Sequence, residues 1–565
     1  MTKYKIGALC AALLASVLMA GCGKRAVPAS EPMVLEVYDS LSDYEGMQQG
    51  WYASALREKF NIELRFMTRE EKKERNLLEP LQEEELPDLI FYSGEEGDLE
   101  KMVEAGNLFE MEALLEGTEI AEYKDALKAL NEPAAEDGIY AVPGQVSRLS
   151  PETPSEALVP EYGVYLRWDI YSEAGYPEIK DMEELLDVME QMQELVKKSG
   201  GKDVYALSFF NEGGDSALSL VSQIAGLFGY GRRGFVFAEA ENRKYHDVQE
   251  EDSWYGEACE WLREAYERGL IDPDSFTQTR EEADKKYRDG KALITFYPET
   301  GTKYSSSSGA LAEGQGMELA PMKGMKVLSR GCNSLGRQDQ FLALGRNVKD
   351  PDRVMAFLNW FYSPEGIMVS GTGNGGGTAG IQGLTWDMEE GNPALTEYGQ
   401  KVFGGEDQEV PEEFGGGMWQ EGICRLGFFP VTEVEVSPSG FPYFYQLWDT
   451  VEEEDNSPLK QDWKDFMEAD DAIEYLMKGK QLKVIPGGLR YSEEEPRQIA
   501  DARADCLQIL QEDFSGLLKA ATEEEFDILY QDMNSRMKEA GYDDVLQYDF
   551  KLLERQKEFR QKSLL

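Results

Sequence analysis

Apolar residues follow two periods in this chain, and stretches of the two alternate. Ile62, Leu64 and Phe66 fall at every second position, as a half-buried strand requires. The preceding residues 51–60 carry their apolar positions at helical spacing, and residues 33–38 (MVLEVY) read as another strand, ending in Asp39 and Ser40. A charged helix is predicted over 68–85. Residues 86–92 (LPDLIFY) then form a short buried strand that ends in the Ser93-Gly94 turn. Strand, helix, strand, helix, strand is the order of a parallel α/β sheet.

The alternation continues. Residues 163–170 (GVYLRWDI) read as a strand leading into a helix. Asp181 is placed to cap a helix in which Met182, Leu185, Leu186, Met189, Met192 and Leu195 share one face. Lys197 and Lys198 complement its C-terminal dipole, and Gly200 ends it. Val204 to Phe210 reads as a strand running into Asn211. A helix follows from Trp254 to Arg268, and Asp289-Gly290 turns into a strand over 292–297. Phe341 to Leu344 is a further strand. Asp350-Pro351 opens a helix that buries Val354, Phe357, Leu358 and Phe361. Residues 367–445 are rich in Gly, Pro and aromatics and show neither period. From about 457 the pattern is helical and acidic, and no internal repeat is visible.

The N-terminus has a different pattern. Lys3 and Lys5 precede an apolar run from Ile6 to Met19, and the small residues Ala20 and Gly21 lead into Cys22. This is a secretory signal peptide over residues 1–21, too short to span a bilayer. Ala-Gly-Cys resembles a bacterial lipobox, which implies that Cys22 is lipidated and anchors the chain on the outer face of a cell membrane. Residues 22–32 then form a polar tether.

A length of 565 residues calls for two or more lobes, and 41% hydrophobic with 11% aromatic residues excludes wholesale disorder. The net charge of −51 excludes nucleic acid and anionic lipid as partners. It also disfavours anionic ligands unless a local basic pocket overrides the general field, so neutral or cationic small molecules are expected. Beyond Cys10 and Cys22, the widely spaced Cys259, Cys332, Cys424 and Cys506 make neither a disulfide framework nor a CxxC pair. Unpaired buried thiols are expected.

Several chemistries are excluded. The one histidine, His246, lies in a polar stretch expected to be an exposed loop, and there is no HExxH, GxSxG or Walker A sequence. Residues 371–376 (GTGNGG) fit G-x-G-x-x-G but follow a helix and open none, so they read as a connection. No catalytic residue, metal or cofactor is assigned. Glycoside hydrolysis stays open, because it needs only two carboxyls flanking a cleft and the chain has 108 acidic residues. Capture of a peptide or another small solute is also open.

Ligands of open α/β sheets bind beyond the carboxyl ends of the strands. Here those ends carry Tyr38-Asp39, Tyr92-Ser93, Phe210-Asn211 and Tyr297 with Glu299. A sugar needs this mixture of aromatic faces and hydrogen-bonding groups. Asp39, Arg167, Asn211 and Glu299 are the candidate hydrogen-bonding residues. Tyr92, Phe210, Tyr297 and Trp419 are the candidate stacking surfaces, and Trp386 and Trp448 are further aromatic platforms.

Several stretches resemble the extracellular solute-binding lipoproteins of sugar ABC transporters (family 1, large Gram-positive type), which are distantly similar to maltose-binding protein. They are residues 86–92, Tyr165 to Asp169, Ala174 to Pro177, Asp289 to Ala292, residues 359–366 (NWFYSPEG), Gly380 to Trp386 and the helical C-terminus. The resemblance implies a two-lobed α/β fold of the type II periplasmic-binding-protein kind, with an interlobe hinge and a helical C-terminal extension. It implies a first lobe of 33–160 plus 292–337 and a second of 163–290 plus 338–565. It further implies a non-enzymatic protein that grips a carbohydrate between the lobes and passes it to ABC permease subunits.

Overall fold

The computed structural model describes residues 31–95, 97–134, 138–240, 244–250, 252–305, 314–373, 377–452, 457–488 and 495–563. The expected signal peptide, Cys22, most of the expected tether and residues 374–376 of the glycine-rich stretch lie outside them. No helix among the described residues is long and apolar enough to cross a membrane.

Alternation at the start of the chain produces the expected strands. Met33–Asp39 turns Leu35, Val37 and Asp39 inward, and Ile62–Phe66 does the same with Ile62, Leu64 and Phe66. The two pair in parallel, Met33 opposite Ile62, across the helix Gly50–Phe60. Asn61 ends that helix in the left-handed conformation, which short amide side chains tolerate. The charged helix expected over 68–85 is shorter. A capping box on Thr68 starts it, but it covers only Arg69–Glu74, and among residues 75–85 just Glu83–Glu85 forms a single 3₁₀ turn. Pro80 would interrupt a longer helix, and Leu77, Leu78 and Leu81 pack on the core from an irregular segment instead.

Leu89–Ser93 adds in parallel to Met33–Asp39, and Gln340–Leu344 returns antiparallel to Leu89–Ser93. The first sheet therefore runs in the order 46–47, 62–66, 33–39, 89–93, 340–344, 141–143. The second has the order 317–319, 165–167, 292–295, 205–207. The helix Met182–Lys198 covers it with Leu185, Leu186, Met189 and Met192, and Asp181 caps it by accepting from the Glu183 and Glu184 amides.

These pairings correct the expected division into lobes. Strands 292–295 and 317–319 belong to the second sheet, and 340–344 belongs to the first. The helix Pro351–Phe361 and the region through Phe428 pack in the first lobe's core, whereas Leu459, Trp463, Leu510, Phe514 and Val545 pack in the second. The chain thus passes between lobes at 144–164 and at 331–339, and the helix Pro458–Met467 again lies in the second lobe. The two passages are tied together by the Cys332 amide donating to the Thr153 carbonyl, and the Gly487 amide, beyond strand 482–485, donates to that of Pro151. Gly331 is required at this contact, since a Cβ there would lie 1.7 Å from the Pro151 oxygen.

The C-terminal helices Arg497–Leu518, Glu523–Glu539 and Tyr542–Ser563 form as the acidic pattern predicts. Arg503 clamps two of them through Asp549, at 2.6 and 3.0 Å. One element escapes the pattern: Leu482–Ile485 is a strand, parallel to Val327–Arg330. Cys259, Cys332, Cys424 and Cys506 are all buried and free.

Candidate functional site

Two adjoining cavities lie where the lobes meet, sharing Gln145, Ser155 and Thr432 in their walls. The smaller, about 290 Å³, is apolar and aromatic. Its floor comes from the first lobe. The Gln145 amide donates to the Phe429 carbonyl and the Val146 amide to that of Pro430, which lays residues 428–432 along the first crossover. Phe428 backs onto Phe91 in the core, and Phe429, Tyr443 and Phe444 complete the wall. Gly377 makes room for the Phe444 ring, which a Cβ there would meet at 1.8 Å. Glu156 and Glu433 add two carboxyls. Burial raises Glu156 above the usual carboxylate range even though it accepts from the Ser329 hydroxyl. Desolvation, then the neighbouring charge of Glu156, raises Glu433.

The larger cavity, about 660 Å³, is polar and takes walls from both lobes. Gln145, Arg337 and Asp339 stand at the edge of the first sheet, where the Gly94 amide donates to the Asp339 carbonyl at the carboxyl end of strand 89–93. Tyr162, Arg232 and Arg330 stand opposite, on the second lobe.

None of the eight residues picked from the sequence lines either cavity. Four of them do come together at the strand ends of the second lobe. The Phe210 and Tyr297 rings lie 5.3 Å apart, Arg280 sits 5.6 Å over Phe210, and Arg280 pairs with Glu299. Beside them Asn211 donates to the Phe276 carbonyl and accepts from Ser216. Tyr92 hydroxyl donates to Asp98, with its ring against Phe341.

Three assignments are corrected. Asp39 is 1% exposed and accepts from the Leu41 and Gly427 amides, so it fastens a loop of the first lobe. Trp419 is 2% exposed and stacked on Trp51 at 4.8 Å, inside the core, where no ligand face remains. Arg167 is buried and chelates Asp169 at the opposite end of its sheet from Tyr297, because strand 165–167 runs antiparallel to 292–295. Trp386 and Trp448 are also buried, packed on each other. His246 is likewise not in an exposed loop. It belongs to the strand Tyr245–Asp247, pairs with Glu250 and packs edge-on to Tyr230. With Asp252 these two form the one group among the described residues that brings three possible metal-ligand atoms within 4.8 Å, and it lines neither cavity.

The cavity aromatics were missed because they sit in the stretch with no period. The clusters Phe428-Phe429-Pro430 and Phe441-Pro442-Tyr443-Phe444-Tyr445 were the available signal, since such density in a glycine-rich loop region marks a surface built for contact.

No protein-family model and no curated protein matches this chain. Solved structures match it over nearly its whole length. An HMO-binding, ABC-transporter-associated solute-binding protein from Bifidobacterium longum infantis superposes with a TM-score of 0.58 at 12% identity, over 93% of this chain and 99% of that one. The chain has the two-lobed solute-binding-protein fold. The ABC-transporter substrate-binding protein FusA of S. pneumoniae, in complex with kestose, gives 0.57 at 15% identity, over 94% and 99%. The alginate-binding protein AlgQ2 gives 0.50 at 17% identity, over 94% and 98%. Both cavities lie in the cleft between the two lobes.

Proposed function

We propose that this protein captures an oligosaccharide between its lobes, outside the cell, and delivers it to the permease of an ABC importer while anchored to the membrane through a lipidated Cys22. The observation that carries the reading is the interlobe cleft itself. Phe429, Tyr443 and Phe444 offer ring faces beside Gln145, Ser155 and Thr432, the combination that sugar C–H faces and hydroxyls require. The comparable structures described as binding HMO, kestose and alginate support a carbohydrate. Contacts made to both lobes only when they close would shift the population toward the closed form, which the permease would then recognise.

Thermal unfolding of residues 23–565 against a panel of oligosaccharides tests this. A ligand at 100 times its Kd adds about 2.7 kcal/mol to the folded state, so the melting temperature rises with one glycan series. A panel without any shift would remove the carbohydrate from the reading. Anchoring is tested separately: Cys22→Ala should release the protein into the medium, and retention of that variant at the membrane would contradict it.

Hydrolysis remains the second reading because Glu156 and Glu433 face one cavity and both titrate high. Cleavage of a bound glycan that Glu433→Gln abolishes would replace capture with catalysis.

A further inference from the structure

We propose that the larger half of the cleft is a subsite for an anionic sugar unit, so that the captured oligosaccharide carries a carboxylate or sulfate. This rests on the carbohydrate reading above and narrows it. Among the described residues, Arg232, Arg233, Arg330, Arg337, Lys557 and Arg560 line this half, against two carboxylates, Glu161 and Asp339. The chain as a whole has 108 acidic residues to 57 basic ones, so an unselected wall would show the reverse excess. A basic cleft in an acidic protein is the local exception that overrides the general field.

The cations come from separate parts of the chain. Arg232 and Arg233 lie on strand Tyr230–Arg233, Arg330 on Val327–Arg330, Arg337 on the second crossover, and Lys557 and Arg560 on the C-terminal helix. Carboxylates orient three of them. Glu161 accepts from Arg330 at 2.9 and 3.1 Å, Asp215 accepts from Arg232 at 2.7 and 3.2 Å, and Asp339 pairs with Arg337. A carboxylate engages two of a guanidinium's five donors, and the planar fork is matched to carboxylate and sulfate oxygens. The remaining wall brings like charges together. Burial, followed by the charges of Arg233 and Arg330, holds the Arg560 guanidinium below the ordinary arginine range.

Arg337 belongs to the first-lobe edge of the cleft and the other five cations to the second lobe. An anion held by both sides therefore favours closure, which ties recognition of the acidic group to the conformational step.

The test is a melting-temperature screen of residues 23–565 with matched pairs, each neutral oligosaccharide beside its uronate- or sulfate-bearing counterpart, and with inorganic sulfate alone. Acidic members should raise the melting temperature and their neutral counterparts should not. For the best acidic member, the double variant Arg233→Gln/Arg560→Gln should lower affinity at least ~10-fold. That affinity should also fall as salt rises from about 0.05 to 0.5 M. Arg337→Gln/Lys557→Gln repeats the measurement at other cations of the cleft, one of them on the second crossover, should the first pair fail to fold. Neutral glycans binding as tightly as acidic ones would overturn the inference and leave the carbohydrate reading standing. Sulfate acting as strongly as any acidic glycan would reduce the subsite to a small-anion site and overturn it. If no glycan binds, both readings fall.

Discussion

Asp39 and Trp419 show what a residue's type conceals. Both are chemically suited to a sugar site, and both serve the first lobe's interior instead. Trp51 donates its indole N–H to the Trp419 carbonyl at 3.0 Å as well as stacking on its ring. Trp419→Ala should therefore destabilise the protein by roughly 3–5 kcal/mol in urea unfolding, as core tryptophans do, while the folded variant keeps its affinity for whichever glycan binds. An unchanged midpoint with lost affinity would return Trp419 to the site. For Asp39, burial outweighs two amide hydrogen bonds and pushes its carboxyl up to about 6. An unfolded aspartate titrates near about 4, so the folded chain holds this proton more tightly. Its contribution favours folding below about pH 4 and is lost as the pH rises through about 6. Asp39→Asn should remove that dependence, so wild type loses about 3 kcal/mol relative to the variant between those limits when both are unfolded at a series of pH values. Parallel profiles would contradict it.

At the scale of elements, periodicity gave most strands and helices but not their partners. Strand 340–344 was legible from its four apolar residues, yet nothing in them says that they pair with 89–93. The expected lobes were exchanged from 292 to 452, though not in the C-terminal helices, for that reason: pairing across about 250 residues is decided by which sheet edge is open, and a single sequence does not display it. Strand 482–485 was hidden inside helical surroundings because it is half-buried throughout and held by backbone pairing to 327–330. The C-terminal helices were legible in outline, and their docking depends on a group that composition could not single out among 108 acids. Asp549 is 1% exposed, accepts from Arg503 and from the Phe235 amide, and sits where Gly234 leaves no room for a Cβ. Asp549→Ala should cost roughly 3–5 kcal/mol, because it strands a guanidinium and an amide together. An effect below about 1 kcal/mol, of the size surface pairs give, would show that Glu495 alone suffices for Arg503.

Over the whole molecule, fold and site were unequally visible. Two α/β lobes follow from the alternation of periods and from length, but none of the eight residues chosen from the sequence lines either cavity of the cleft. The cleft's own lining did not follow, because crossovers and the aperiodic region 428–444 supply it. Its charge was invisible too: arginines from three distant segments meet there, and the net charge of −51 pointed away from them. The account thus depends on a ligand seated between the lobes and touching both. Hydrogen exchange on residues 23–565, with and without a saturating glycan identified by melting temperature, tests this most directly. The account predicts slowed exchange in 428–433 and 330–337 together, one beside the aromatic cavity and the other beside the arginines. Protection confined to the Phe210–Tyr297 face, or to one lobe alone, would contradict it.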